Sequence, residues 1–200
     1  MILWTGILPL LTNLVIFRAW WVLTQRGPAF YIECLYLLLV FTASNTYHTC
    51  LISDNDMCWW SLVVHRKMDH ILAEGTLILT ASLFAWWDNS PVRHVLFILT
   101  MVVQVVVKVL TTNVLFAVGA TVIFGAIAVY RHWRTIQWTS TLIGCALFFI
   151  GFIFYILEDV SDPDLRSSIH AAWHIFAFIA LEPLFYGGIP AVVEKSESVA

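Results

Sequence analysis

The sequence predicts an all-α integral membrane protein, a seven-transmembrane helix bundle, and three observations lead there. Of the 200 residues, 60% are hydrophobic and only 12% charged, against about half and about 25% in a soluble domain. The mean hydropathy is +0.86. Seven stretches are each long enough to cross roughly 30 Å of hydrocarbon, with no strand-like alternation or internal repeat between them.

In chain order the spans are expected near 3–23, 30–50, 69–87, 93–111, 112–130, 139–157 and 170–190. The first has too long an apolar run for a signal peptide. It also lacks a basic leader and a small-residue cleavage site, so it reads as a true span. The second ends in "SNTYHTC" and the third opens in "HRKMDH". The fourth and fifth join at "KVLTTN" with almost no loop. The seventh opens in "SSIHAAWHIF". Residues 1–190 thus form one membrane domain and 191–200 a short polar tail, leaving no room for a separate soluble domain. A net charge of −3 without a basic cluster excludes nucleic acid as a partner.

With the N-terminus outside, the inner segments carry Arg18, Arg26, Arg93, Arg131, Arg134 and Lys195. The outer ones carry Arg66, Lys67, Lys108 and Arg166. This asymmetry predicts N-out and C-cytoplasmic, in a plasma-membrane or secretory-pathway multi-pass protein. The outer loops are then the acidic ones, with Asp54, Asp56, Glu158, Asp159, Asp162 and Asp164. Cys34 and Cys145 fall in spans and read as buried small apolar residues. Cys50 and Cys58 bracket the outer loop "LISDNDM", where a disulfide or two separate thiols both fit.

Ionisable groups inside a bilayer are costly and mark function by default. His48 closes the second span, Asp69 opens the third, and His170 and His174 open the seventh. Span counting puts all four at similar depth below one surface, because one loop joins spans two and three and four further crossings separate it from the loop before span seven. His170 and His174, at i and i+4, share a helix face and can reach one ion. His48 completes a three-ligand set with an open fourth position, the construction of catalytic zinc sites. Asp69 is then placed to orient or deprotonate a water. Ser44, one turn before His48, is placed to donate to a substrate oxyanion or to hold Asp69.

Each residue also has a plainer reading. An isolated HxxxH is more often structural, Asp69 could cap its helix, Ser44 could bond its own i−4 carbonyl, and His48 could face headgroups. Convergence of three histidines and a carboxylate from three helices favours the site. His65 and His70 read as solvated or interfacial, and His94 and His132 lie at the opposite surface. Glu74 and Glu182 line a cavity or pair with a neighbour, and Lys108 snorkels. Trp59, Trp60, Trp86, Trp87, Trp133 and Trp138 read as an interfacial belt.

Seven spans with Ser44-x3-His48 in the second, Asp69 in the third and His170-x3-His174 in the seventh resemble the CREST superfamily of membrane hydrolases. That group includes alkaline ceramidases and adiponectin receptors. The wording "YHTC", "MDHILAEGTL" and "EDVSDPDLRSSIHAAWH" is similar to the branch containing myomaker and the post-GPI-attachment phospholipase A2. The resemblance implies zinc (Zn2+) on the three histidines and a membrane lipid substrate, with a homodimer left open. The phospholipase's large N-terminal ectodomain is not in these residues, which counts against GPI-anchor recognition. The serine of the S-x3-H motif favours a working hydrolase. The expected function is therefore zinc-dependent hydrolysis of a lipid ester or amide. The alternatives are a myomaker-like membrane-remodelling or cell-fusion protein with a structural zinc, and a lipid-sensing receptor.

Overall fold

The computed structural model describes residues 7, 10–52, 58–111, 114–158 and 163–190. The start of the first expected span, Asp54, Asp56, Thr112, Asn113, Asp159, Asp162 and the tail with Lys195 lie outside the described residues, as does the side chain of Asp164.

Seven α-helices and no strand occur among the described residues. They are α1 (Ile16–Thr24), α2 (Tyr31–Ile52), α3 (Leu62–Trp86), α4 (Ser90–Thr111), α5 (Leu115–His132), α6 (Trp138–Leu157) and α7 (Pro163–Gly188), with a 3-10 turn at Pro28–Phe30 before α2. An apolar helical stretch from Leu10 leads into α1. Five segments are long and apolar enough to cross a membrane: Pro28–Leu51, Ser90–Thr111, Leu115–His132, Trp138–Leu157 and Ser168–Gly188. The chain is a membrane protein on this ground.

α3 is long enough to cross, at 25 residues, but its first half carries His65, Arg66, Lys67, Asp69, His70 and Glu74. It tolerates them because it is the centre of the bundle, almost continuously buried from Ile71 to Trp86. α4 has the opposite arrangement to a soluble amphipathic helix. Arg93, Phe97, Gln104 and Lys108 are its buried residues, while Val95, Ile98, Leu99, Val102 and Val106 are exposed. Polar groups turned inward and branched aliphatics turned outward suit a helix whose solvent is lipid.

α6 packs against α7 along a seam of small residues. Thr141, Gly144 and Gly151 are the buried positions of α6. A Cβ on Gly144 would lie 3.0 Å from the Ala180 carbonyl, and one on Gly151 3.1 Å from the Ala177 nitrogen. This close approach fixes the register of α7 and brings the end of α6 beside His170. At the end of the bundle away from His170, Arg93 is fully buried. It donates to Glu33 at 2.6 Å and to the carbonyls of Trp86 and Ala29, locking α4 to α2 and α3. His94 and His132 also sit at that end, against Glu33 and the Ala85 carbonyl.

Several expectations change, among them that Cys145 of α6 is exposed and not buried. α3 begins at Leu62 after an N-cap at Ser61, so Asp69 lies two turns inside the helix and does not cap it. α7 likewise begins before His170. Lys108 does not snorkel: it is buried and donates to Glu74, because it shares a helical face with Gln104 that points into the bundle. Trp86 is buried, whereas Trp59, Trp60, Trp133 and Trp138 are exposed as a belt requires.

Candidate metal centre

The four residues singled out by span counting meet. His48 from α2, Asp69 from α3, and His170 and His174 from α7 place one donor atom each within 4.8 Å of one another. All are buried, His174 fully and the others exposed by no more than 4%. The rings of His48 and His170 are 4.9 Å apart between centroids, and those of His48 and His174 5.6 Å. His170 Nε2 and His174 Nε2 are 2.9 Å apart. Asp69 Oδ2 lies 3.5 Å from the first and 3.9 Å from the second. Two ligand atoms on one tetrahedral zinc, each at about 2.0–2.1 Å, are separated by about 3.3 Å. The group could hold a metal ion.

Buried polar atoms without partners face the same space. Neither ring nitrogen of His48 has a hydrogen-bond partner among the described residues, and neither carboxylate oxygen of Asp69 has one. Buried polar groups left so cost a few kcal/mol each. One His48 nitrogen and an Asp69 oxygen left so beside His170 and His174 are what a bound cation would satisfy.

Two residues not assigned to the site from the sequence hold it from outside. Asn13, fully buried ahead of α1, places Oδ1 2.5 Å from His174 Nδ1. Its Nδ2 donates to Ser44 Oγ at 2.9 Å and to Asn45 Oδ1 at 3.0 Å. Ser44 therefore sits behind the histidines, bonded to Asn13. Glu158, just past the end of α6, sets Oε1 3.2 Å from His170 Nδ1 and accepts from Arg66 at 3.2 Å. Burial pushes the Glu158 carboxyl up, but hydrogen bonds from His170 and His70 outweigh it and hold it well below the usual carboxylate range. A lone amide inside the apolar run "LLTNLVIF" was the available signal for Asn13. Glu158 was legible only as one more acid in an outer loop.

His65 and His70 are not solvated. His65 is buried within reach of Cys50 and Cys58. His70 approaches Glu158 at 3.7 Å and Tyr155 OH at 3.3 Å. Tyr155 donates to Glu74 at 2.5 Å, which also accepts from Gln104 and Lys108. A polar chain therefore runs from His170 through Glu158 and His70 into the bundle. Glu182 pairs with Arg18 at 2.8 Å. Cys50 and Cys58 stand at disulfide distance, with Cα atoms 5.3 Å apart.

Deeper in the bundle is an apolar cavity of about 540 Å³, lined by Leu77, Phe84, Thr121, Gly125, Cys145 and Phe152 among others. Along α3, Ala73 lies between Asp69 and Leu77. It packs with Trp173 and Ala177, against which Phe148 of the cavity wall also rests. No family model matches the chain, and no curated protein matches it.

Proposed function

We propose that this chain is a zinc-dependent intramembrane lipid hydrolase, cleaving an ester or amide near one membrane surface. The observation that carries the reading is the convergence of His48, His170 and His174 with Asp69, four buried donors from three helices. Three imidazoles and an oxygen donor match the ligand preference of zinc. When bound, zinc supplies Lewis-acid polarisation and lowers the pKa of its water.

The chain's own residues supply the rest. Asp69 Oδ2, within 4 Å of two ligand nitrogens, is positioned to orient a water and take its proton. Ser44 acts through Asn13 in this geometry. An acyl chain would enter from the bilayer into the apolar cavity, with Trp173 and Phe148 as the partition between chain and site. α3 and the stretch from Leu10 through α1 complete seven spans. The balance of Lys and Arg supports an N-out, C-cytoplasmic orientation, with the site near the outer leaflet.

The test is lipid analysis of phospholipid vesicles carrying the purified chain or its Asp69→Asn variant. A free fatty acid or lysolipid product should appear with the first and vanish with the second. Identical lipid profiles would remove the enzymatic claim.

One observation favours a second reading. Asp69 Oδ2 lies within 4 Å of two ligand nitrogens, near enough to take the fourth position, and zinc sites with four protein ligands are structural. Asp69 would then be the fourth ligand, in a membrane-remodelling protein of the myomaker kind. On that reading Asp69→Asn sheds the metal, and a cell-mixing assay, not a lipid product, reports function.

A further inference from the structure

We infer that Asn13 and Glu158 set the ring tautomers of His174 and His170, and that this makes their two Nε2 atoms a metal-binding pair. The inference rests on the metal reading above and adds to it the residues that determine affinity.

A neutral imidazole carries its proton on one nitrogen and a lone pair on the other. In the arrangement present, the Asn13 amide nitrogen donates to Asn45 Oδ1 at 3.0 Å and to Ser44 Oγ at 2.9 Å, and its oxygen faces His174. An amide oxygen only accepts. His174 Nδ1, 2.5 Å away, therefore carries the proton and Nε2 the lone pair. The Glu158 carboxylate likewise only accepts, and its Oε1 lies 3.2 Å from His170 Nδ1. His170 Nδ1 is thus also the donor, and in the neutral ring its Nε2 is the lone-pair atom.

Both assignments have the same consequence. With both rings neutral, as metal binding requires, the two Nε2 atoms, 2.9 Å apart, point lone pairs into one space. Such an arrangement is repulsive alone and favourable around a cation. Neither tautomer can relax by turning to water, since Asn13, Ser44 and His174 are fully buried and Glu158 and His170 are 4% exposed. Metal-ligating histidines generally donate their second nitrogen to a carboxylate or carbonyl in this way, and losing that partner costs about 10–100-fold in metal affinity.

The origin of the two residues adds to the case. Neither stands on α2 or α7, which carry the histidines. Asn13 ties the stretch ahead of α1 to the site, and Glu158 ties α6 to it. Asn13 and Glu158 are positioning residues, outside the coordination sphere.

The experiment is chelator competition for Zn2+ on the full chain in lipid nanodiscs, with Co2+ absorption as a second readout. Asn13→Ala and Glu158→Ala should each raise the Zn2+ dissociation constant about 10–100-fold and shift the visible Co2+ bands. Metal-free, the alanine variants should melt below the metal-free wild type, because each leaves buried polar partners unpaired, so affinity is read only on folded protein. Asn13→Asp and Glu158→Gln keep an acceptor oxygen, and Ser44 and Asn45 can turn to donate to the first. These two should stay within about threefold of wild-type affinity, and they test the inference if the alanine variants do not fold. Alanine variants with wild-type affinity would overturn it. So would two metals per wild-type chain falling to one in Glu158→Ala, which would make Glu158 a ligand in a second site with His70. A wild-type chain that binds no Zn2+ would instead overturn the metal reading on which the inference rests.

Discussion

Lys108 of α4 donates to the Glu74 carboxylate of α3 in the buried interior, and both side chains are almost wholly screened by the neighbouring helices. Gln104 and Tyr155 donate to the same carboxylate, so four residues from three helices share one polar cluster. Removing one member of a buried pair leaves an uncompensated charge, at a cost of about 3–5 kcal/mol. Lys108→Met should therefore lower the unfolding midpoint in detergent sharply. The double variant Lys108→Met/Glu74→Gln should recover most of the loss. A single variant as stable as wild type would show that the pair contributes nothing.

The apolar cavity makes a separate prediction. A side chain placed at Gly125 meets nothing within 4 Å of its first carbon, yet Gly125 lines the cavity. Gly125→Leu should fold, bind Zn2+ as wild type does, and hydrolyse long-chain lipids more slowly than short-chain ones. Measured against both chain lengths, an equal rate for each would exclude the cavity as the acyl site.

The Cys50–Cys58 pair closes a short loop of separation 8 between α2 and α3, two residues beyond His48. Constraining such a loop contributes about 2–3 kcal/mol through the unfolded chain. Cys58→Ser should lower thermal stability by that amount under oxidising conditions and leave it unchanged under reducing ones. A thermal melt in both buffers decides.

The candidate site was legible because it depends on counting. His48, Asp69, His170 and His174 follow from which loops share a membrane face, and small errors in helix ends leave that unchanged. The start of α3 was not legible, since "VVHRKMDH" reads as a polar loop until α6 and α7 are present to cover its inner face. Lys108 was misread for the same reason: snorkelling is the default for a lysine near a span end. Only the shared face of Gln104 and Lys108, with Glu74 opposite, turns it inward. Asn13 carries no spacing signal at all. Its role appears only when the segment ahead of α1 packs beside His174, across a separation of 161 residues.

The most direct test of the central claim is anomalous diffraction at the zinc edge from crystals of the unmodified chain. One peak per chain is expected, about 2.0–2.1 Å from a ring nitrogen each of His48, His170 and His174, and absent from His174→Ala. No peak, with the His170 and His174 rings bridged by a shared hydrogen and His48 turned away, would contradict the claim.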